Sequence, residues 1–394
     1  LEHRSNKFQH KKKTYFTFQN LLQAYYQCRR RKRKTANAGK IELNFESVLL
    51  KLEQELQNHS YKPGKSICFV VTKPKPREIF AADFKDRIIH HLLVRYLEPF
   101  WENKFIFHSF ACRKNKGSHV ATKFLKKFTR KASKNFSQPA HYLQVDVSAF
   151  FMSLKKDILL RKIAEHLKNQ EILWLAKKII LHNPTKNYYK KGDLNLFFLI
   201  PPNKSLFSVP KGQGLPIGNL TSQFFANIYL NALDQFIKHD LKAKYYLRYV
   251  DDLVIIHQDP QQLKVWKTKI SLFLEKELQL KLHPKKSVQQ SIYKGINFVG
   301  FVVKPGYTLI RRKVVCNLKE KLQKFNQDTI QNSAKISQEC LLKITATVNS
   351  YYGQFQHANT LNLRKSIYAK HFGILKAYLK PSGADFFFFK IKKF

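Results

Sequence analysis

The run "RYVDDLVII" (248–256) sets Asp251 and Asp252 side by side in an otherwise apolar, strand-like segment. One carboxylate is costly to bury in such a setting and two adjacent ones more so, which calls for a cation opposite them. A second apolar run, "HYLQVDVSAFF" (141–151), ends its strand-like part on Asp146. Carboxylates converging at strand ends make an oxygen-rich site suited to hard divalent cations. Two such ions about 4 Å apart activate an attacking hydroxyl and stabilise a departing pyrophosphate in an in-line displacement. The competing reading is a salt-bridged aspartate pair on a turn, and "DD" alone does not separate the two.

The rest of the chain is short of acids. Its 394 residues hold 72 Lys and Arg against 26 Asp and Glu, a formal net charge of +46. That excess predicts a polyanionic partner, nucleic acid ahead of a membrane surface. There is no run of 18 apolar residues and no signal-peptide pattern, so a soluble cytoplasmic protein with no membrane partner is expected. The five cysteines, at 28, 68, 112, 316 and 340, form no CxxC pair and read as reduced packing residues, neither zinc ligands nor a disulfide frame.

The elements that would position the aspartates follow from periodicity and turn residues. Residues 1–44 read as a basic arm with one helix, "FQNLLQAYYQ", before the charge run "RRRKRK". "FESVLLKLEQELQN" (45–58) has helical apolar spacing. "SICFVVTKPKPREIFAA" reads as strand, Pro-broken basic turn and strand, and "DRIIHHLLVRYLEPFW" (86–101) as a helix. Residues 103–145 contain ten Lys and Arg and no acid, interleaved with aromatics, as suits a groove that tracks phosphates. "KKDILLRKIAEHL" is helical, and "GLPIGNLTSQFFANIYLNALDQFIK" (214–238) reads as a Gly/Pro turn, a polar cap and a long helix. A hairpin, "KYYLRYVDDLVIIHQ", then leads to a helix near 261–278, a hairpin-like "GINFVGFVVKPGYTLI", and mostly helix from 314 onward.

Taken in order, "VDVSAFF", the Gly/Pro–Ser–Gln motif and "YVDD" resemble the reverse transcriptase palm, over roughly residues 15–370. The resemblance implies an α+β right-hand polymerase: fingers at 45–140, palm at 141–310 with a fingers-like insertion about 160–213, and a helical thumb with tail at 311–394. It makes Asp146, Asp251 and Asp252 catalytic, with the Val147 backbone carbonyl joining them as metal ligand for two Mg²⁺ ions, Mn²⁺ being a substitute. Phe151 falls at the family's aromatic steric gate against a ribose 2′-OH, although Phe150 adjoins it and a plain core role is the alternative. Lys75 and Arg77 fall in the fingers turn that holds the incoming triphosphate, with Gln223 also on the nucleotide side. Lys286 in "LHPKKS" takes the place of the lysine that protonates pyrophosphate, with Lys285 the rival. "FVGF", Phe298, Val299, Gly300 and Phe301, resembles the primer-grip hairpin. His90, His91 and His119 lack metal spacing and read as helix or loop residues, a phosphate contact being the alternative for His119.

Within that family, "KPKPREIFAADFKDRIIHHLL", "SFACRKNKGSHVA" and above all "GLPIGNLTSQ" resemble the diversity-generating retroelement branch. Group II intron and retron enzymes carry Ser-Pro where this chain has Ser222-Gln223. The branch implies error-prone copying of a template-repeat RNA into cDNA from deoxynucleoside triphosphates, with a small basic accessory protein oligomer as partner. Ile217 stands where more accurate enzymes carry Gln and becomes the fidelity candidate, or else it merely packs beneath the turn. A defence-associated or other stand-alone bacterial reverse transcriptase and a catalytically dead RNA-binding palm are the alternatives. The short thumb shows no RNase H, endonuclease or maturase extension, which disfavours a self-sufficient intron or retroviral enzyme. The stretch 190–213 is longer than the branch requires.

Overall fold

A computed structural model describes residues 14–30, 32, 36–73, 75–331 and 336–392, so the first part of the basic arm and half of "RRRKRK" lie outside the described residues. The described strands, in chain order, are β1 (Ser66–Val71), β2 (Arg77–Ala81), β3 (His141–Asp146), β4 (Tyr188–Lys190), β5 (Tyr245–Tyr249), β6 (Asp252–His257), β7 (Val288–Ser291), β8 (Ile296–Phe298), β9 (Phe301–Val303), β10 (Thr308–Ile310), β11 (Leu379–Pro381) and β12 (Phe389–Ile391). Two compact units emerge, each assembled from separate stretches. One takes the chain up to Cys112, Asp146–Lys242 and Thr268–Lys285; the other takes Arg113–Val145, Ala243–Lys267 and everything from Lys286. Helices mix with sheets throughout, as a right-hand polymerase requires. No described helix is long and apolar enough to cross a membrane.

In the first unit, β1 and β2 pair antiparallel from Ile67↔Ala81 to Val71↔Arg77, and β4 adds to β1 in parallel. The helix Phe84–Lys104 follows β2, its start fixed by Asp83, whose side chain accepts from the Lys85 N–H. It packs on the helix Leu220–Gln235, which is buried on most faces, through Phe224, Phe225, Ile228, Leu230 and Leu233. Asn219 ties the turn before that helix to β2, its Oδ1 accepting from the Ala82 N–H at 3.1 Å. Cys28 and Cys68 are core residues whose thiols burial pushes up to about 11 and about 12. Cys112 and Cys340 are exposed, so the packing expectation holds only in part.

The stretch left without a role in the sequence is held against this sheet. Beyond the β1–β4 pairing, Glu78 of β2 accepts from Ser205 Oγ (2.8 Å) and from the Leu206 N–H (2.7 Å). Burial, the largest effect, raises the Glu78 pKa against the lowering by these two hydrogen bonds and Lys190. A raised folded-state pKa contributes stability below the unfolded value near 4.5 and loses it as pH climbs through the folded value. Glu78→Gln keeps an acceptor for Leu206 and removes the buried charge. Its thermal midpoint relative to wild type should therefore be higher at pH 7 than at pH 4; melting curves giving a pH-independent difference would refute this.

In the second unit the strand order is β5-β6-β3-β7. β3 and β7 run antiparallel from His141↔Ser291 to Gln144↔Val288, and β5 and β6 from Tyr245↔Ile256 to Tyr249↔Asp252. The acid-free stretch contains one amphipathic helix, Ser118–Ala132. Ala121, Leu125 and Phe128 are buried, and the Phe128 ring meets Tyr245 of β5 at 5.6 Å, while Lys123, Lys127 and Arg130 stay exposed. A three-stranded meander β8-β9-β10 precedes the helices Arg312–Gln331, Gln338–Phe355 and Leu361–His371, which enclose Leu322, Ile344, Val348, Tyr352 and Phe355. The antiparallel pair β11–β12, two short strands in a region that is otherwise mostly helix as expected, closes this core with Phe389.

Candidate active site

Hairpin geometry puts Val250 and Asp251 in the two-residue turn between β5 and β6, with Asp252 opening β6. Val250 has φ +56°, a left-handed conformation that a β-branched residue adopts only under constraint. Arg248, fully buried, supplies part of that constraint by donating from Nη1 to the Val250 carbonyl at 2.9 Å. Asp252 is gripped from the neighbouring strand: Gln144 Nε2 of β3 donates to its two carboxylate oxygens at 2.9 and 3.2 Å and to the Asn297 carbonyl at 2.9 Å. Side chains alternate along a strand, so Asp146, two residues beyond Gln144, shares its face of β3.

Past Asp146 the chain continues as an isolated bridge between Val147 and Leu282. The bonds there run from His283 N–H to the Asp146 carbonyl (2.7 Å) and from Ser148 N–H to the Lys281 carbonyl (2.9 Å). This pairing leaves the Val147 carbonyl outside its ladder, the position in which it can serve as an oxygen ligand. Among the described residues no group of three or more His, Cys, Asp or Glu side chains is gathered into a ready-made metal cluster. The oxygens that the sequence reading offers a divalent cation, the carboxylates of Asp146, Asp251 and Asp252 and a backbone carbonyl, are of the type that hard ions take.

The nucleotide-side candidates lie in the first unit. Of the adjacent rings, Phe150 is buried and Phe151 is half-exposed. Phe151 and Ile217 both pack against one cluster of Cys68, Phe80, Met152 and Leu206. The Leu215 N–H donates to the Phe151 carbonyl (2.8 Å) and the Phe80 N–H to the Ile217 carbonyl (2.9 Å), fixing the turn to both neighbours. Gly218, at φ +126°, has room for no side chain: a Cβ would sit 2.8 Å from Ile79 Cγ2 and 3.1 Å from the Phe80 carbonyl oxygen. Gln223 is exposed in the first turn of the helix that follows. Lys75 and Arg77 are exposed at the β1–β2 turn, and Lys285 and Lys286 are both exposed, so exposure does not choose between those two.

In the second unit, Phe298 and Phe301 are buried and face each other across the β8–β9 turn, with Val299 (φ +42°) and Gly300 (φ +90°) at its tip. Tyr249 lies beside this turn, its ring 6.4 Å from Phe298. The sequence reading passed over a histidine pair here: the His119 ring is 3.7 Å from His357 and 5.9 Å from Phe301. Burial, then the facing imidazole and Lys123, lowers the His119 pKa; burial and Lys123 lower that of His357. It also passed over Gln144 and Arg248, for which the only signal was a polar residue inside an apolar strand run within a few positions of an aspartate. In the first unit, burial drives His90 down to about 3, consistent with a neutral core histidine.

The profile of the reverse transcriptase (RNA-dependent DNA polymerase) family matches residues 62–303. Among curated proteins, "Protein YkfC" of Escherichia coli is 21% identical over 296 residues, covering 66% of this chain and 71% of that protein. The "Uncharacterized 91 kDa protein in cob intron" of Schizosaccharomyces pombe is 25% identical over 201 residues, and "Nuclear intron maturase 2, mitochondrial" of Arabidopsis thaliana 20% over 161. The matches span only 22% and 21% of those two relatives. Telomerase from Candida albicans, solved with a fragment of telomeric RNA, shares 13% identity at a TM-score of 0.46, covering 80% of this chain and 56% of that one. At that score the likeness carries no weight for function. The family profile spans more than half of the sequence and contains Asp146, Asp251 and Asp252, and on that ground the chain belongs to the reverse transcriptase family of RNA-directed DNA polymerases.

Proposed function

We propose that this chain copies RNA into DNA by two-metal nucleotidyl transfer and serves a diversity-generating retroelement. The observation that carries the polymerase reading is the Gln144 bridge, which holds Asp252 against the strand ending in Asp146. Divalent ions, Mg²⁺ in this reading, supply activation of the primer hydroxyl and charge neutralisation on the departing pyrophosphate. The chain's own part is to hold and select. Asp146, Asp251, Asp252 and the Val147 carbonyl offer the oxygens. Lys75 and Arg77 grip the triphosphate, Lys286 gives pyrophosphate its proton, and the 298–301 turn steadies the primer end.

Selection falls to the pair on the shared apolar cluster. The half-exposed Phe151 ring bars a 2′-OH, so Phe151→Ala should raise ribonucleotide incorporation by about tenfold or more, the scale of a lost steric contact of one to a few kcal/mol. If Phe150→Ala has this effect and Phe151→Ala does not, the gate is assigned one residue too late.

The retroelement reading is supported by "GLPIGNLTSQ" and by Ile217 within it. An Ile offers only apolar contact, which discriminates weakly between similar shapes, whereas a Gln can withhold a hydrogen bond from a misaligned pair. Primer extension on RNA carrying adenines, followed by cDNA sequencing, tests both levels. Wild type should err opposite adenine and Ile217→Gln should err less, by roughly five- to tenfold. An unchanged adenine error rate would remove Ile217 from the account, and faithful copying by wild type would remove the retroelement role.

A further inference from the structure

Leaving a phenylalanine almost fully in water forfeits the burial that places such residues in cores. Phe198 is 88% exposed, in the same short segment as Leu194 (57%), Leu199 (51%), Tyr189 (42%) and Phe207 (41%). Between residues 184 and 213 the chain also carries five lysines and a single acid, Asp193, whose carboxylate is engaged in accepting from the Asn195 N–H at 2.9 Å. The segment is held in place. β4 pairs with β1, Glu78 grips Ser205 and Leu206, and Gln213 bridges to Lys155. Lys190 Nζ sits 4.9 Å from the Phe197 ring centre.

We infer that the segment 188–211 is a docking surface for single-stranded RNA, with Phe198 stacking on an unpaired base and the lysines following the phosphates. Exposed rings flanked by cations suit sequence-tolerant binding of an unpaired strand, since every base has a face to stack while a duplex hides its faces. A protein partner fits less well, because lysine is depleted from protein–protein interfaces and here Lys190 and Lys191 on one side and Lys204 and Lys211 on the other flank the apolar run. Anchoring at Glu78 and along β1 presents the rings without an ordering cost at binding. The choice of RNA over DNA rests on the polymerase reading above, in which the strand that arrives unpaired is the template.

The test compares full-length wild type, Phe198→Ala and Phe198→Trp by fluorescence anisotropy on an unstructured RNA 20-mer, the matching DNA 20-mer and the matching RNA–DNA duplex. Phe198→Ala should weaken RNA 20-mer binding about tenfold, the scale of one lost stack, with little change on the duplex and an unchanged salt slope. Phe198→Trp should bind as tightly as wild type or more so. Because Phe198 is exposed, the alanine variant is expected to melt like wild type. Single-strand affinity within twofold of wild type, or an equal loss on the duplex, overturns the surface. Tighter wild-type binding to the DNA 20-mer than to RNA overturns the template assignment. Primer extension by wild type is read separately: no extension alongside Phe198-dependent RNA binding sinks the polymerase reading and leaves this surface standing.

Discussion

Asp251→Asn should abolish DNA synthesis while leaving RNA affinity within about twofold. The asparagine is isosteric, so the Val250–Asp251 turn and the grip of Arg248 on the Val250 carbonyl are retained. What disappears is a negative oxygen that, in the proposed reading, would help to hold an ion, and Asp146→Asn would remove another at the end of β3. A bound metal contributes several kcal/mol of transition-state charge stabilisation, so each change is expected to cost about 10³-fold or more in primer extension. In the proposed reading RNA affinity would rest instead on the chain's basic excess and the counterions it displaces from the RNA, and should keep a steep fall with salt. Extension by the Asp251→Asn protein within tenfold of wild type would sink the two-metal assignment; parallel loss of RNA binding would point to misfolding.

The second large effect is one of stability. Arg248 is fully buried in β5 and its guanidinium donates to the carbonyl of a residue in left-handed conformation. Arg248→Ala would leave a cavity, orphan that carbonyl and release whatever else the guanidinium engages. Such changes cost about 3–5 kcal/mol. For a protein of this size that lowers the melting temperature by about 5 °C. Arg248→Lys keeps the charge without the planar fork and should fall between. Primer extension should fail in the alanine variant even where it remains folded, because the turn carrying Asp251 loses its brace. A melting curve matching wild type would show that the arginine is dispensable.

Period and turn chemistry made much of this arrangement readable before any coordinates. The alternation in "KYYLRYVDDLVIIHQ" gave β5, β6 and the turn between them, and "SICFVVTKPKPREIFAA" gave β1 and β2 about its Pro-rich break. What periodicity could not show is pairing between distant segments. Nothing local in Gln144 says that it reaches Asp252, and nothing in Glu78 says that it caps a backbone more than a hundred residues later. The helix Ser118–Ala132 was hidden by charge: its apolar stripe is interleaved with lysines whose exposed heads dominate the composition. β11 and β12 escaped because nothing local in "FFFFK" says that Phe389 packs on Tyr352 and Phe372.

Because the chain changes compact unit after Cys112, Val145, Lys242, Lys267 and Lys285, neither unit exists as a continuous length of polypeptide. A ribosome making this protein cannot release one finished half and then begin the other. The strand β3, with Leu143 completely buried and Tyr142 and Val145 nearly so in the finished sheet, emerges long before β6 at 252–257 and β7 at 288–291 can cover its two edges. Nascent chains therefore wait with apolar strand edges open, the state most prone to association. Holdase chaperones, slowed translation and low growth temperature should each raise the soluble yield. A nick between residues 146 and 242 should separate pieces that do not fold apart.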